Sequence, residues 1–405
     1  MSKNKTKKWV RKYHQPLFVV LRFLLCLFAR IFYGYKAERF KIKKGEKYII
    51  ICNHQTTLDP VFLGVAFNKL TYFVSNDDLV HIKYASWWLT KCFGIIPKSK
   101  GKSDFKTVKT MLQVLKENGS VGIFPEGNRT FSGELCYINP AIIKFVKSAK
   151  APLIIYNLEG GYGFDPRWAK KIRKGPFKGK IKKVLSVEEV QQMSLEELGE
   201  VINSNLNVKE APTNNEYKSA NKAECIERVF YICPECNSKN TLTSKGNNFT
   251  CSKCKTTWEY TSHLTIEKDH KTYKYPTVAS WYKMQLEDVI NKEYHENEII
   301  FEDKDIQLYI SRGSNQKELL ENGSVQLSKE YIKVVGEKTY IYLLEEITGV
   351  CASGKQQVMF RIEDNTYTIR NNKDKRDNFN PVKYVTTINY LKNKDEEFKY
   401  EYFGI

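Results

Sequence analysis

The chain has 405 residues, of which 41% are hydrophobic and 13% aromatic, and its formal net charge is +19. This apolar content is too high for a disordered protein, and the length favours two or three domains over a single compact core. The positive charge favours an anionic partner, either nucleic acid or an acidic lipid surface, so the position of the charge has to distinguish the two.

Residues 1–34 combine a basic head with an apolar stretch. The head has six basic residues and no acidic one: Lys3, Lys5, Lys7, Lys8, Arg11 and Lys12. Only Arg22 and Arg30 interrupt the apolar stretch, and no small-residue cleavage site of a signal peptide follows it. Because charges inside a bilayer are costly, we expect a basic amphipathic helix in the membrane plane, with both arginines reaching the phosphates of membrane phospholipids. A spanning helix and a buried helix of a soluble domain are the alternatives.

Residues 35–205 alternate between short apolar runs and helical patterns. Asp59 and Pro60 mark the start of a helix, and the segment 104–119 has its apolar residues on one face. Strands are predicted at 47–52, 71–75, 120–124 and 151–159. Strands that alternate with helices at this spacing predict an α/β domain, a mixed sheet with flanking helices.

The remainder of the chain divides into three predicted parts. The polar run 206–226 has the composition of a linker. Residues 227–262 contain two close pairs of cysteines, the pattern of a small zinc ribbon. Residues 263–405 consist of short alternating runs and a final helical segment, which predict a β-rich domain with a C-terminal helix. This last pattern resembles small lipid-binding or partner-binding barrels of the pleckstrin-homology type.

The first chemical motif is the run NHQTTLDP at residues 53–60, directly after a predicted strand. A hydroxyl nucleophile needs a base near pH 7, which the imidazole of His54 supplies. The imidazole in turn needs an acceptor that fixes its tautomer, and Asp59 lies five residues further on. Taken alone this spacing is also typical of a histidine followed by a helix-capping aspartate.

The second motif is FPEGNRT at residues 124–130, again at the end of a predicted strand. Gly127 allows the backbone to approach a ligand closely, and the planar guanidinium of Arg129 suits phosphate oxygens. Two strand-end motifs about 70 residues apart predict one site at the edge of a sheet, where open α/β folds bind their ligands. An ordinary turn with a solvated arginine is the alternative.

Together the two motifs resemble those of the lysophosphatidic acid (1-acylglycerol-3-phosphate) acyltransferase superfamily. NHQTTLD matches its H-x-x-x-x-D motif and FPEGNRT its F-P-E-G-T-R motif. The resemblance implies that His54 is the general base, that Asp59 orients it, and that Glu126, Gly127 and Arg129 hold the phosphate-bearing acceptor. It extends to GIIPKSK, where Lys100 stands in place of the family's usual arginine and lacks the bidentate fork. The acceptor binding is therefore expected to include Lys100.

By this resemblance, the chain moves a fatty acyl group from a thioester, either acyl-CoA or acyl carrier protein, to the hydroxyl of a lysophospholipid acceptor. Such a reaction belongs to phospholipid biosynthesis and implies a position on the cytoplasmic face of the cell membrane. No covalent acyl-enzyme is required, because both substrates can be held together. Alternation along the strand and apolar neighbours favour a core position for Cys52, and we expect no nucleophilic role for it.

Ten cysteines are present, and six of them are scattered singly, which suits a reducing cytoplasm and not a disulfide framework. The other four form two C-x-x-C pairs separated by 14 residues: Cys233, Cys236, Cys251 and Cys254. This spacing predicts a four-thiolate zinc site of the ribbon type. With four protein ligands the site is closed, so we expect the zinc to be structural. Because the pairs lie outside residues 35–205, metal removal is expected to spare catalysis.

A rival interpretation is a membrane adaptor in which a basic zinc ribbon binds nucleic acid or a protein partner and the α/β part is a non-catalytic scaffold. Such a protein would tolerate the loss of His54 and Asp59, and any DNA binding would fall steeply with salt. The intact pair of motifs argues against it. The four lysines near the cysteine pairs do not make a convincing nucleic-acid surface, so we expect no nucleic-acid partner.

Overall fold

The protein is described by a computed structural model that covers residues 8–76, 93–98, 105–296, 298–312, 317–372 and 378–392. The chain forms two compact units, and each is assembled from more than one segment. The first comprises Met1–Gly127, Ile138–Gly161 and Pro176–Val208. The second comprises Asn128–Tyr137, Tyr162–Gly175 and Lys209–Ile405. Two segments of the region 35–205, which the sequence predicts as one domain, thus belong to the second unit.

The first unit contains a seven-stranded mixed sheet. Its strands are β1 (Lys36–Ala37), β2 (Ile49–Cys52), β3 (Thr71–Asn76), β4 (Ile96–Lys98), β5 (Ser120–Ile123), β6 (Leu153–Glu159) and β7 (Lys178–Leu185). Their spatial order is β1-β7-β6-β2-β5-β3-β4, and β6 with β7 is the antiparallel pair. The central β2 pairs in parallel with β5 and β6, and all four of its residues are fully buried. A parallel strand covered on both faces needs such a continuous apolar run.

The helices of the described part of this unit flank the sheet, which confirms the predicted fold class. They are α1 (His14–Tyr33), α2 (Asp59–Gly64), α3 (Phe105–Lys116), α4 (Pro140–Ser148), α6 (Val187–Gln192) and α7 (Leu195–Leu206), whereas the single turn α5 (Gly161–Phe164) belongs to the second unit from Tyr162 onward. Both α6 and α7 begin with capping boxes, in which Ser186 pairs with Glu189 and Ser194 with Glu197. These reciprocal bonds satisfy backbone groups that a helix start otherwise leaves without partners.

Helix α1 has one face against the unit and one apolar face exposed. Its inner face buries His14, Phe18 and Ala29. Arg22 also faces inward, since its Nε donates to the carbonyl of Val65 at 3.1 Å, so this arginine does not reach outward as the sequence predicts. Apart from Arg30, the exposed residues of this face are mostly apolar: Val19, Val20, Phe23, Leu24, Leu27, Phe28, Ile31 and Phe32. Among the described residues, α1 is the one helix long and apolar enough to span a membrane.

The second unit contains a five-stranded antiparallel meander next to the paired cysteines. Its strands are β8 (Leu242–Lys245), β9 (Asn248–Cys251), β10 (Thr257–Tyr260), β11 (Ile266–Lys268) and β12 (Lys271–Thr272), followed by α8 (Val278–Asn291). The sheet therefore continues ten residues beyond residue 262, the predicted end of the ribbon. An aromatic cluster joins the sheet to α8, with Phe249, Trp258 and Trp281 in mutual ring contact.

The segment 206–226, predicted to be a linker, is packed in this structure. Tyr217 is 1% exposed and Ala223 is fully buried. The Tyr217 ring fills space left by Gly163 and Gly175, where a Cβ atom would lie within 2.4 Å and 2.3 Å of the ring. The polar composition predicted a solvated segment. The segment is instead anchored by the Tyr217 ring, which fits only because two glycines distant in sequence leave room for it.

The C-terminal region is a seven-stranded antiparallel sheet with a final helix, as its alternating pattern predicts. The strands are β13 (Phe301–Arg312), β14 (Glu318–Leu327), β15 (Tyr331–Val335), β16 (Thr339–Leu343), β17 (Gly349–Ser353), β18 (Gln357–Ile362) and β19 (Asn365–Asn371), and the helix is α9 (Pro381–Lys392). The long strand β13 pairs with both β14 and β19, so it joins two meanders. A buried ion pair between Lys383 and Asp303, 2.5 Å apart, holds α9 on this strand.

Candidate active site

His54 lies just beyond the end of β2, and its imidazole contacts Asp59 in the first turn of α2. His54 Nδ1 is 2.8 Å from Asp59 Oδ2. A carboxylate only accepts hydrogen bonds, so the neutral ring carries its proton on Nδ1 and leaves a lone pair on Nε2. The His54 side chain is 20% exposed while that of Asp59 is fully buried. The pair therefore has the geometry of an oriented general base, with Nε2 on the side of the ring that faces away from the buried carboxylate.

The local backbone holds the Asp59 carboxylate in place. Its Oδ2 also accepts from the amides of Gln55 at 2.6 Å and Thr56 at 2.8 Å. Its Oδ1 accepts from the hydroxyl of Thr56 at 2.5 Å. The five-residue spacing of the motif thus folds into a tight loop around the carboxylate. Asp59 is the first residue of α2, so the helix N-terminus also favours its negative charge.

Two contacts connect His54 to the end of β5. The imidazole stacks on the ring of Phe124, with centroids 4.5 Å apart, and Phe124 stacks in turn on Phe73. The amide of His54 donates to Glu126 Oε1 at 2.6 Å. The structure therefore brings His54, Asp59 and Glu126 together, as the two motifs predict. Because β2 and β5 are parallel neighbours, the motifs that follow them meet at one edge of the sheet.

Comparisons with known proteins agree with this geometry. Residues 36–156 match the family model described as Acyltransferase. A 1-acyl-sn-glycerol-3-phosphate acyltransferase of Bacillus subtilis is 28% identical over 154 residues, which are 37% of this chain and 70% of the relative. The chain carries an acyltransferase domain of the lysophosphatidic acid acyltransferase superfamily. This finding confirms the family that the two motifs predict, and the protein is an acyltransferase.

Other similarities are more limited in extent. A 1-acyl-sn-glycerol-3-phosphate acyltransferase of Streptococcus pneumoniae is 30% identical over 88 residues, which are 21% of this chain and 33% of that relative. The crystal structure of the 1-acyl-sn-glycerophosphate (LPA) acyltransferase PlsC from Thermotoga maritima aligns with 49% of this chain and 96% of its own, at 17% identity and a TM-score of 0.36.

Glu126 and Gly127 form the turn that ends β5 in the acyltransferase domain. Glu126 is 4% exposed, and one of its oxygens holds the His54 amide. Gly127 has φ +67°, a conformation that residues with a Cβ rarely adopt, and its amide donates to the Phe124 carbonyl at 3.1 Å. The hydrogen bond from the His54 amide links Glu126 to the loop that bears His54, and the role in acceptor binding that the resemblance implies for Glu126 stays a prediction.

Arg129 and Lys100 are the other two residues predicted to bind the acceptor. Arg129 belongs to the second unit, where its Nη1 is 3.7 Å from Asp165 Oδ2. Its backbone carbonyl accepts from Arg167 Nη1 at 2.7 Å. Lys100 lies outside the described residues. Asp165 and Arg167 were not predicted from the sequence, because their segment carries no motif and only the folded chain brings it to Arg129.

Two further residues near the His54–Asp59 pair have structural roles. Asn53 exchanges two hydrogen bonds with the backbone of Leu158, at 3.0 and 2.8 Å, and so ties the end of β2 to β6. Cys52 is fully buried, and burial, followed by the charges of Asp59 and Glu126, raises the pKa of its thiol. The thiolate needed for a nucleophile is thus disfavoured, in agreement with the core position predicted for Cys52.

The four paired cysteines meet at one point of the second unit. Their sulfur atoms all lie within 4.8 Å of one another. The Sγ atoms of Cys233 and Cys254 are 3.7 Å apart, and so are those of Cys236 and Cys251. A tetrahedral site with Zn–S bonds of about 2.3 Å has sulfur atoms roughly 3.8 Å apart. Hydrogen bonds from the hydroxyl and amide of Ser238 lower the pKa of Cys236, which favours a thiolate. These residues fit a four-coordinate metal ion.

Proposed function

We propose that this acyltransferase transfers a fatty acyl group from an acyl thioester to the free hydroxyl of lysophosphatidic acid or a related lysophospholipid. The observation that carries the proposal is the oriented His54–Asp59 pair, in which the carboxylate is fully buried and the imidazole is 20% exposed. The names of the relatives support lysophosphatidic acid as the first acceptor to examine. Both acyl-CoA and acyl carrier protein thioesters are donors compatible with this chemistry.

The reaction follows from the protonation state of His54. Nε2 takes the proton of the acceptor hydroxyl while that oxygen attacks the carbonyl carbon of the thioester. The tetrahedral intermediate then breaks its C–S bond, and the imidazolium returns the proton to the leaving thiolate. Asp59 stabilises the transient imidazolium through Nδ1, and its own position is held by Gln55 and Thr56. Glu126 keeps the His54 backbone in register with β5.

Phosphate binding is assigned to the loop after Gly127. Arg129 presents a guanidinium that is suited to a phosphate, and Lys100 adds a second cation in this proposal. Glu126 is assigned to positioning, because a buried carboxylate that already holds a backbone amide would repel an anionic headgroup.

Helix α1 is assigned to the cytoplasmic surface of the membrane. Its exposed apolar face, which includes Phe23, Leu27 and Ile31, would be unfavourable in water and suits the acyl boundary of a bilayer. The inner face of the helix is held by the Arg22–Val65 bond and by buried Phe18, which favours a helix lying along the surface over a spanning one. The basic residues that precede it add attraction to anionic lipids.

The four-cysteine site is assigned to one structural zinc ion. All four positions of a tetrahedron are supplied by Cys233, Cys236, Cys251 and Cys254, and a closed site of this kind stabilises the fold and leaves no place for substrate.

The decisive experiment is an activity assay of the purified full-length protein. Lysophosphatidic acid and several other lysophospholipids are offered with labelled acyl-CoA or acyl carrier protein thioester, and the products are identified by mass. We expect diacyl product with the wild-type protein and almost none with a His54→Ala variant. If a folded His54→Ala variant is as active as the wild type, the mechanism is wrong.

A further inference from the structure

The loop that bears Arg129 is bonded to the C-terminal sheet. Within the second unit, Asn128 Nδ2 donates to the carbonyl of Ala352 at 2.8 Å. Arg167 donates to the same carbonyl through Nη2 at 2.9 Å, and to that of Gly354 through Nε at 2.8 Å. Ala352 lies near the end of β17, and Gly354 lies in the turn that leads from β17 to β18. The third nitrogen of Arg167 holds the Arg129 carbonyl at 2.7 Å, so one guanidinium joins this turn to the Arg129 loop.

Arg167 is rigidly held. It is 1% exposed, and its guanidinium lies over the ring of Phe131 at 4.2 Å. Burial, followed by the positive charge of Arg129, lowers the pKa of Arg167. Three hydrogen bonds to backbone carbonyls compensate for this burial, since a buried charge is stable only when its donors are satisfied. The backbone of Arg129 is therefore fixed by a side chain that itself cannot move without breaking the other bonds.

The same place gathers positive charge. Lys355, also in the β17–β18 turn, has its Nζ 4.0 Å from Asp165 Oδ1 and 2.5 Å from the carbonyl of Ala169. Asp165 is shared with Arg129, at 3.7 Å. Arg129, Arg167 and Lys355 together carry three positive charges against the single negative charge of Asp165. An excess of two positive charges in a half-buried cluster favours a dianionic ligand, and a phosphate monoester has this charge near pH 7.

We propose that the β17–β18 turn of the C-terminal sheet is part of the acceptor site. Arg167 is a positioning residue that fixes the Arg129 loop, and Lys355 is a further cation that binds the acceptor's phosphate monoester. This inference rests on the proposed function, in which Arg129 binds that phosphate. The appended C-terminal region thereby contributes to acceptor specificity, favouring a phosphate monoester headgroup over a phosphodiester such as lysophosphatidylcholine, which has one negative charge fewer on its phosphate.

Steady-state kinetics of Lys355→Met in the full-length protein test this assignment. We expect the KM for lysophosphatidic acid to rise about tenfold, the usual loss when one charge-assisted hydrogen bond is removed, while the KM for the thioester stays unchanged. Lys355→Arg keeps the charge and should restore most of the affinity. The matched control is Lys338→Met, an exposed lysine at another turn of the same sheet, which should change neither constant.

Binding without turnover separates this inference from the proposed function. In a His54→Ala background, Lys355→Met should weaken binding of lysophosphatidic acid in detergent micelles and leave binding of lysophosphatidylcholine unchanged. If this holds although the wild-type protein forms no product from lysophosphatidic acid, the phosphate site stands and the proposed reaction fails. An unchanged acceptor KM, or equal rises of the acceptor and thioester constants at an unchanged melting temperature, would overturn the inference.

Discussion

In the loop between β2 and α2, one oxygen of Asp59 receives three hydrogen bonds, from His54 Nδ1 and from the amides of Gln55 and Thr56. The sequence predicted the His54–Asp59 pair, because both residue types stand in a recognisable motif after a strand. It did not predict the role of Thr56, whose hydroxyl holds the other carboxylate oxygen. A threonine in a polar loop has no pattern of its own, and only the folded loop turns it toward Asp59.

The first prediction concerns the base itself. His54→Ala removes the proton acceptor and should lower kcat by about two to four orders of magnitude without unfolding the protein. Asp59→Asn should cost less, because the ring remains and only its orientation and the stabilisation of the imidazolium are lost. Measurements of kcat alongside circular dichroism check both. Equal activity of the His54→Ala variant and the wild type would exclude this base.

The second prediction uses the neighbouring threonines as a matched pair. Thr56→Val removes the bond to Asp59 Oδ1 and leaves a buried acceptor with one partner fewer. We expect a fall in kcat of roughly tenfold, with KM values little changed. Thr57, next in the chain, is exposed, so Thr57→Val is the control and should be silent. Similar losses in both variants would show that the loop responds to any substitution.

The third prediction distinguishes the roles of the acidic residue Glu126 and the basic residue Arg129 of the second motif. Glu126→Gln keeps an oxygen for the His54 amide but removes the charge, so kcat should fall while the acceptor KM changes little. Arg129→Ala should instead raise the acceptor KM more than that of the thioester, because its fork contacts the headgroup. If both variants give the same pattern, Glu126 acts in acceptor binding as the family resemblance implies.

At the scale of elements, the strands and helices with strong local patterns were predicted well. β2, β5 and β6 are apolar runs, and α3 and α9 have clear ends in the sequence. The sequence did not show that the segment from Tyr162 to Gly175 belongs to a different unit from the rest of residues 35–205. The contacts of this segment with the second unit include those of Arg167 and of the Tyr217 ring. Contacts between residues 40 to 190 positions apart leave no periodic signal in the chain.

The fourth prediction concerns helix α1. Phe23→Asp with Leu27→Asp changes only the exposed face, so the inner contacts of Phe18 and Arg22 should keep the helix in place. Co-sedimentation with anionic vesicles should fall several-fold, and high salt should reduce binding of the wild type only in part, because apolar insertion is insensitive to salt. Ile341→Asp, at an exposed apolar residue of β16, is the control. Unchanged sedimentation would place the membrane contact elsewhere.

At the scale of the whole chain, the position of the cysteine sheet changes what metal removal should do. The sequence places the ribbon outside the catalytic region and predicts that catalysis is independent of it. In the structure the sheet belongs to the unit that also holds Arg129. Tyr260 of β10 packs edge-on against Trp168, and Arg173 lies between these two rings at 5.0 and 5.1 Å. The segment that carries Arg167 is therefore anchored on the sheet next to the paired cysteines.

The last prediction follows from this anchoring. Protein purified without chelator should contain one zinc per chain, and Cys233→Ser with Cys236→Ser should abolish it, since structural zinc contributes on the order of 10 kcal/mol in such modules. Loss of the metal should loosen the sheet, release Trp168 and Arg167, and raise the acceptor KM well before kcat or the thioester KM changes.

Cys26→Ser, at a half-buried cysteine outside the cluster, is the control and should keep both zinc and affinity. Elemental analysis checks the first half, and kinetics after chelation with and without added zinc check the second. Absence of zinc would contradict the four-thiolate site, whereas an unchanged acceptor KM in metal-free protein would show that the Arg129 loop is held without help from the ribbon.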